Sequence, residues 1–303
     1  MLPCRCVVRH LSSAARKRFY KSVSIVNANT KQDGVDLFEI CLDQRKLRTP
    51  RKAVLQIPGE PLALAVTQEW DSQGELLDIS NMRLSGLCIT ATDNPMHLTA
   101  PTICQQIMEF IDTDTVFYMS DEPEKLRKLQ ELHWGELINW ARDRYEMQIE
   151  PTHSILIGPK ISSKSRQTIE RHLQSYNFWS LVGYQYCVEA VKSLLITMAA
   201  VNCQLSVSEA VKMATLEQRF QAETWGQVEW AHDMEFHELC ARFAAGILFV
   251  QLNTNLPKKV EGESPEKKVE VHEEEDKEEH QIDWKEWDSD EEEIEDRQEK
   301  DDR

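Results

Sequence analysis

From Tyr20 to Ile57 the apolar and polar positions alternate in short runs separated by turn residues. Tyr20–Val26 is β-branched and alternating, and Asp36–Leu42 (DLFEICL) alternates cleanly. Asp33-Gly34 and Thr49-Pro50 supply turn chemistry, and Ala53–Ile57 reads as a further short strand. After Pro58 the period lengthens. Pro61, followed by Leu62, Leu64, Ala65, Val66 and Trp70, predicts a helix with proline in its first turn. Asn81–Asp93, Thr99–Asp112 and Pro123–Tyr145 continue the helical spacing, with a short strand expected at Val116–Met119.

Beyond Gly158-Pro159 the pattern is helical. Ser165–Tyr176 forms one helix, and Trp179–Val201, apolar almost all round, is expected to be a single buried central helix. Glu189 and Lys192 interrupt that stretch, so it is not read as a membrane span. Ser206 and Glu209 have the spacing of a capping box at the next helix. In the last helix, expected over Trp225–Val250, Phe236, Cys240, Phe243, Ile247 and Val250 mark one buried seam. Traced backwards, the seam passes through His232, Glu229 and Trp225, with Asp233 beside it. Charge on a buried stripe is costly unless it is paired, so this is the first candidate functional region.

These elements predict an α+β protein in which a small N-terminal antiparallel β-rich lobe precedes a mainly α-helical C-terminal domain. The expected divisions are 1–18, 19–58, 59–256 and 257–303. The first thirty-two residues contain no Asp or Glu but carry Arg5, Arg9, Arg16, Lys17, Arg18 and Lys21 among Ser and Ala. That composition reads as a mitochondrial transit peptide over 1–18. Net charge is −17, but residues 257–303 alone hold 22 acids and 9 bases, a composition expected to form a disordered acidic tail. The remainder is mildly acidic, which argues against nucleic acid and anionic membrane surfaces as partners. Cys41, Cys88, Cys104, Cys187, Cys203 and Cys240 are scattered singly without a CxxC pair and are expected to be reduced core thiols.

Candidate chemistry is thin. Glu229-Trp230-Ala231-His232 is one Glu-x-x-His pair, and a di-iron site in a helical bundle needs two. His232-Asp233 could begin a metal phosphohydrolase centre, but His153, His172 and His237 offer no convincing ligand set. His232 donating to Asp233 or Glu229 within the helix is the structural alternative. Asp112-Thr113-Asp114-Thr115 lacks the Gly and Glu of an EF-hand and reads as a cap. GxxxxGK[ST], GxGxxG and GxSxG do not occur. No catalytic residues, metal or cofactor are assigned, and the chain is not read as an enzyme.

Several stretches carry a resemblance. Arg45-Lys46-Leu47-Arg48-Thr49-Pro50 is followed by Leu62–Val66 and by Glu69-Trp70-Asp71-Ser72-Gln73. Then come Phe110-Ile111-Asp112-Thr113-Asp114-Thr115, Glu122-Pro123-Glu124 and Trp225-Gly226-Gln227-Val228-Glu229-Trp230-Ala231-His232-Asp233. Together they resemble the mitochondrial ATP synthase assembly chaperones that bind the free α subunit of the catalytic head. The resemblance implies a two-lobed α+β fold, no catalysis, a matrix location and a monomer that shields the α subunit until β subunits replace it. It makes Glu229, His232, Asp233 and Trp225 the candidate client-binding residues. Trp70, Asp71, Asp112 and Asp114 are shared motif positions with expected structural roles. The acidic tail is a departure from the family pattern. The competing expectations are a metal-binding enzyme using Glu229 and His232, and a structural subunit of a mitochondrial complex.

Overall fold

The structure, a computed structural model, describes residues 16–254 except 33, 155, 227 and 229. The predicted transit peptide up to residue 15 and the acidic tail lie outside those residues. Two compact units meet in the sequence at His97-Leu98.

The first unit is a four-stranded antiparallel sheet carrying two helices. Strand β1 (Val23–Gln32) pairs with β2 (Val35–Leu42), which also pairs with the short β3 (Arg45–Lys46) and β4 (Gln56–Pro58). β1 begins three residues later than the alternation suggested. Helix α1 (Glu60–Asp71) starts with Pro61 in its first turn, as expected, and packs on β1, β2 and β4. Leu62, Ala63 and Val66 join Ile40, Leu55 and Ile57 in a fully buried core. Glu69 then organises helix α2 (Arg83–Asp93). Its carboxylate accepts from the Leu84 and Ser85 amides, both at 2.8 Å, and from the Ser85 hydroxyl at 2.7 Å. Those first-turn amides have no partner within their own helix, so α1 caps α2. Buried Glu39, on β2, is matched by Lys46 at 2.5 Å and by the Gln56 amide at 3.0 Å.

The second unit is helical apart from the two-residue strands β5 (Ile149–Glu150) and β6 (Lys160–Ile161). Its helices are α3 (Ala100–Glu109), α4 (Glu124–Tyr145), α5 (Ser163–Gln174), α6 (Phe178–Val191), α7 (Leu194–Val201), α8 (Val207–Ala214), α9 (Leu216–Trp225) and α10 (Ala231–Thr254). The Ser206/Glu209 capping box at α8 is present in full.

Three local expectations are corrected. The Trp179–Val201 helix is two helices: Lys192 takes a left-handed φ of 56° to end α6, and the Ser193 hydroxyl accepts from the Ile196 amide to open α7. The Val116–Met119 strand is a 3-10 turn over Thr115–Phe117, because the Asp114 carboxylate caps it at the Val116 amide, leaving one bridge from Tyr118 to Thr152. The last helix begins at Ala231. Gly226, at φ 92°, ends α9, and Trp230, at φ 68°, lies outside helical geometry.

The unit's core is close-packed where α10 crosses α6. Gly183 and Gly246 face across that crossing. A methyl group on Gly246 would lie 2.3 Å from the Cys187 sulfur, and one on Gly183 would lie 2.9 Å from the Phe249 ring. Trp179 stacks on Phe249 with ring centres 6.0 Å apart. Of the cysteines, Cys41, Cys88, Cys104 and Cys187 are buried free thiols, Cys240 is half-buried, and Cys203 is exposed, against expectation.

Candidate functional site

The candidate segment is the corner between α9 and α10. Gly226 supplies a positive φ that a side-chain-bearing residue adopts only with strain. The Ala231 amide then bonds the Val228 carbonyl at 3.1 Å, and the Met234 amide bonds that of Trp230 at 3.1 Å, closing the first turn of α10. His232 is half-buried, and its Nδ1 accepts the Val228 amide at 3.1 Å. His232 therefore closes the corner by accepting a hydrogen bond from the main chain at Nδ1. A metal at Nδ1 would have to displace that bond.

Among the described residues the seam is interrupted, because the corner redirects the chain ahead of α10. Asp233 is exposed, and Glu229 lies outside the described residues. What the corner presents is apolar: Trp225 is 78% exposed, Val228 64%, Trp230 74% and Met234 69%. Trp225 was among the candidates. Val228, Trp230 and Met234 were missed, and the available signal was four bulky apolar residues within ten positions that do not share one helical face. The described residues contain no group of three His, Cys, Asp or Glu side chains able to hold a metal ion. Nor do they contain a helix long and apolar enough to cross a membrane.

The four motif positions lie elsewhere, each tied into its own unit. Trp70 is half-buried. Its ring centre is 5.8 Å from that of Tyr20, whose hydroxyl donates to the Trp70 carbonyl at 2.6 Å. The Asp71 carboxylate meets the Arg18 guanidinium at 3.4 Å, and the same guanidinium bonds the Asp71 carbonyl at 2.9 Å. Asp112 forms a two-pronged ion pair with Arg166, one oxygen at 3.1 Å and the other in shorter contact with Nη2. Asp114 is fully buried. It accepts from the Val116 amide at 3.2 Å and the Leu195 amide at 2.9 Å, so one carboxylate joins the 3-10 turn to the start of α7. Burial pushes its carboxyl up to about 6, and the amide and Ser193 donors oppose that rise.

Comparison with known proteins brings the same fold. Residues 17–142 match the family described as ATP12 chaperone protein, a span that contains Trp70, Asp71, Asp112 and Asp114. The mitochondrial atp12 protein of Schizosaccharomyces pombe is 26% identical over 243 residues, covering 77% of this chain and 81% of the relative. The mitochondrial ATP12 protein of Saccharomyces cerevisiae is 22% identical over 269 residues, covering 75% and 81%. The crystal structure of Atp12 from Paracoccus denitrificans matches with a TM-score of 0.68 and 26% identity, over 78% of this chain and 98% of that one. The Atu1473 protein of Agrobacterium tumefaciens shares the fold at a TM-score of 0.71 and 24% identity, over 78% and 85%. The matched span and these relatives support an α+β chaperone that acts in ATP synthase assembly. Residues 17–142 carry the likeness to the ATP12 chaperone family, and the relatives named above from the two yeasts are mitochondrial proteins.

Proposed function

We propose that this chaperone works in the mitochondrial matrix, where it binds the unassembled α subunit of the ATP synthase catalytic head. It holds the subunit interface of α away from water until β subunits replace it, and it acts as a monomer without catalysis. The observation that carries this reading is the exposed apolar corner Trp225–Met234, which belongs to a stretch that resembles the α-subunit-binding chaperones. A temporary holder of an assembly interface needs apolar surface to cover the client, and nearby charge to set register and permit release. Trp225, His232 and Asp233 belong to that corner, and Glu229 is assigned to it from the sequence.

The test is co-expression of residues from Phe19 onward with free α subunit and, separately, with β subunit. Soluble α that co-purifies with the chaperone, with β left insoluble, is the expected result. Equal rescue of both subunits, or of neither, refutes α specificity.

A further inference from the structure

The described residues expose fourteen large apolar side chains, and four of them fall within the ten positions from Trp225 to Met234. The two indoles alone offer on the order of 300 Å² of apolar surface, the scale at which an exposed patch marks a binding site. Trp230 adds a second observation. It holds a left-handed φ of 68° while its side chain stays 74% exposed. For a bulky residue that conformation is strained, and no burial of the ring repays it among the described residues.

The charge around the patch selects what covers it. Within residues 216–240 the exposed described acids are Glu223, Asp233, Glu235 and Glu238, against one base, the half-buried Arg219. A second copy of this chain would bring the same acidic rim against itself. The chain's own residues 257–303, with 22 acids and 9 bases, carry the same sign. Like charges across an interface disfavour both occupants, and a cationic rim on the partner is favoured.

We infer that Trp225, Val228, Trp230 and Met234 form a dock for an apolar segment flanked by Lys or Arg on a partner protein, with Asp233 and Glu235 reading the flanking charge. This deepens the client-binding reading and rests on it for the identity of the partner, but its test does not depend on that identity.

The probes are two labelled peptides with the same Leu- and Phe-containing centre, one flanked by Lys and one by Glu, titrated into the full chain by fluorescence anisotropy. The Lys-flanked peptide is expected to bind about tenfold more tightly, with the gap narrowing as salt is raised. Trp225→Ala combined with Trp230→Gly is expected to cost about tenfold in affinity at an unchanged or higher Tm, since glycine relieves the left-handed backbone. Asp233→Asn with Glu235→Gln should erase the preference between peptides while sparing the apolar contribution. Equal binding of the two peptides overturns the inference, as does full binding by the tryptophan variant. A tighter Lys-flanked complex after removal of residues 257–303 would show the tail occupying the dock, which also overturns it. Peptide discrimination without retention of α subunit on co-expression would refute the α-subunit reading and leave the dock standing.

Discussion

The two halves of α10 have opposite fates. From Phe243 to Asn253 the helix buries Phe243, Gly246, Ile247, Phe249, Val250 and Asn253. From Ala231 to Glu238 every described side chain is exposed or half-buried, Met234 and Phe236 included. Composition is part of the difference, since Ala231–Glu238 carries Asp233, Glu235 and Glu238 while Phe243–Asn253 carries no charged residue; the neighbour is the rest. The C-terminal half meets α6 through facing glycines, while the N-terminal half leads out of a corner that α9 enters by way of Gly226. An apolar stripe reports where a helix can be covered; whether it is covered depends on what the chain places opposite.

The largest effect expected from attacking this contrast is at Gly246. Gly246→Val would put carbon into the Cys187 sulfur and should cost about 3 kcal/mol or more. A large fall in urea midpoint checks it, and Cys187→Ala should restore part of the loss to Gly246→Ala.

Next come two buried titratable groups on the packed side, whose pH effects oppose each other. His133 is buried, and loss of hydration, with Arg219 nearby, lowers its pKa to about 4. The unfolded chain then binds the proton first, so His133 removes stability as pH falls from about 6.5 to about 4. The Asp114 carboxyl, raised to about 6, is protonated in the folded chain before the unfolded one, so it removes stability as pH rises from about 4 to about 6. Each is of order 2–3 kcal/mol and the two largely cancel between pH 4 and 6. His133→Gln should therefore unmask stability that falls with rising pH. Asp114→Asn should unmask stability that rises across the same range, and urea midpoints at several pH values read both. A flat profile in either variant removes the corresponding group from the account.

Arg166→Ala should cost about 1 kcal/mol by leaving Asp112 without its forked partner at a partly exposed site. The smallest effect belongs to the open half. Trp225→Ala and Met234→Ser should each shift stability by less than about 0.5 kcal/mol, because neither side chain is packed. A Tm loss there comparable to that of Gly246→Val would mean the corner is covered, and the contrast between the halves would fail.

Much of the fold was legible where local chemistry and tertiary packing agree. Pro61 opens α1 because it has no amide to leave unpaired, and the Ser206/Glu209 pair opens α8 by satisfying orphan amides from within the segment. The break at Lys192-Ser193 was hidden because both flanking helices are apolar, so periodicity carried no punctuation across it. The turn at Thr115–Phe117 was misread as strand because the decisive Asp114 bonds reach eighty-one residues along the chain to Leu195. For the candidate site, the exposure of the segment differs from the expected buried stripe. The charged residues were expected on the buried stripe and Trp225 alone among the exposed bulky residues was picked. A glycine at φ 92° and a tryptophan at φ 68° had redirected the chain, and neither angle can be read from spacing.

The Cys187 thiol lies sealed under Gly246, fully buried, with burial raising its pKa well above that of a free thiol. Any reagent that reaches it must wait for α6 and α10 to part. When the label on Cys187 is resolved by peptide mapping from that on every other cysteine, Cys41, Cys88 and Cys104 included, the speed of its alkylation becomes a stopwatch for that opening. It would time how often the folded core breathes, and whether seating a client at the corner one helix-half away slows the clock.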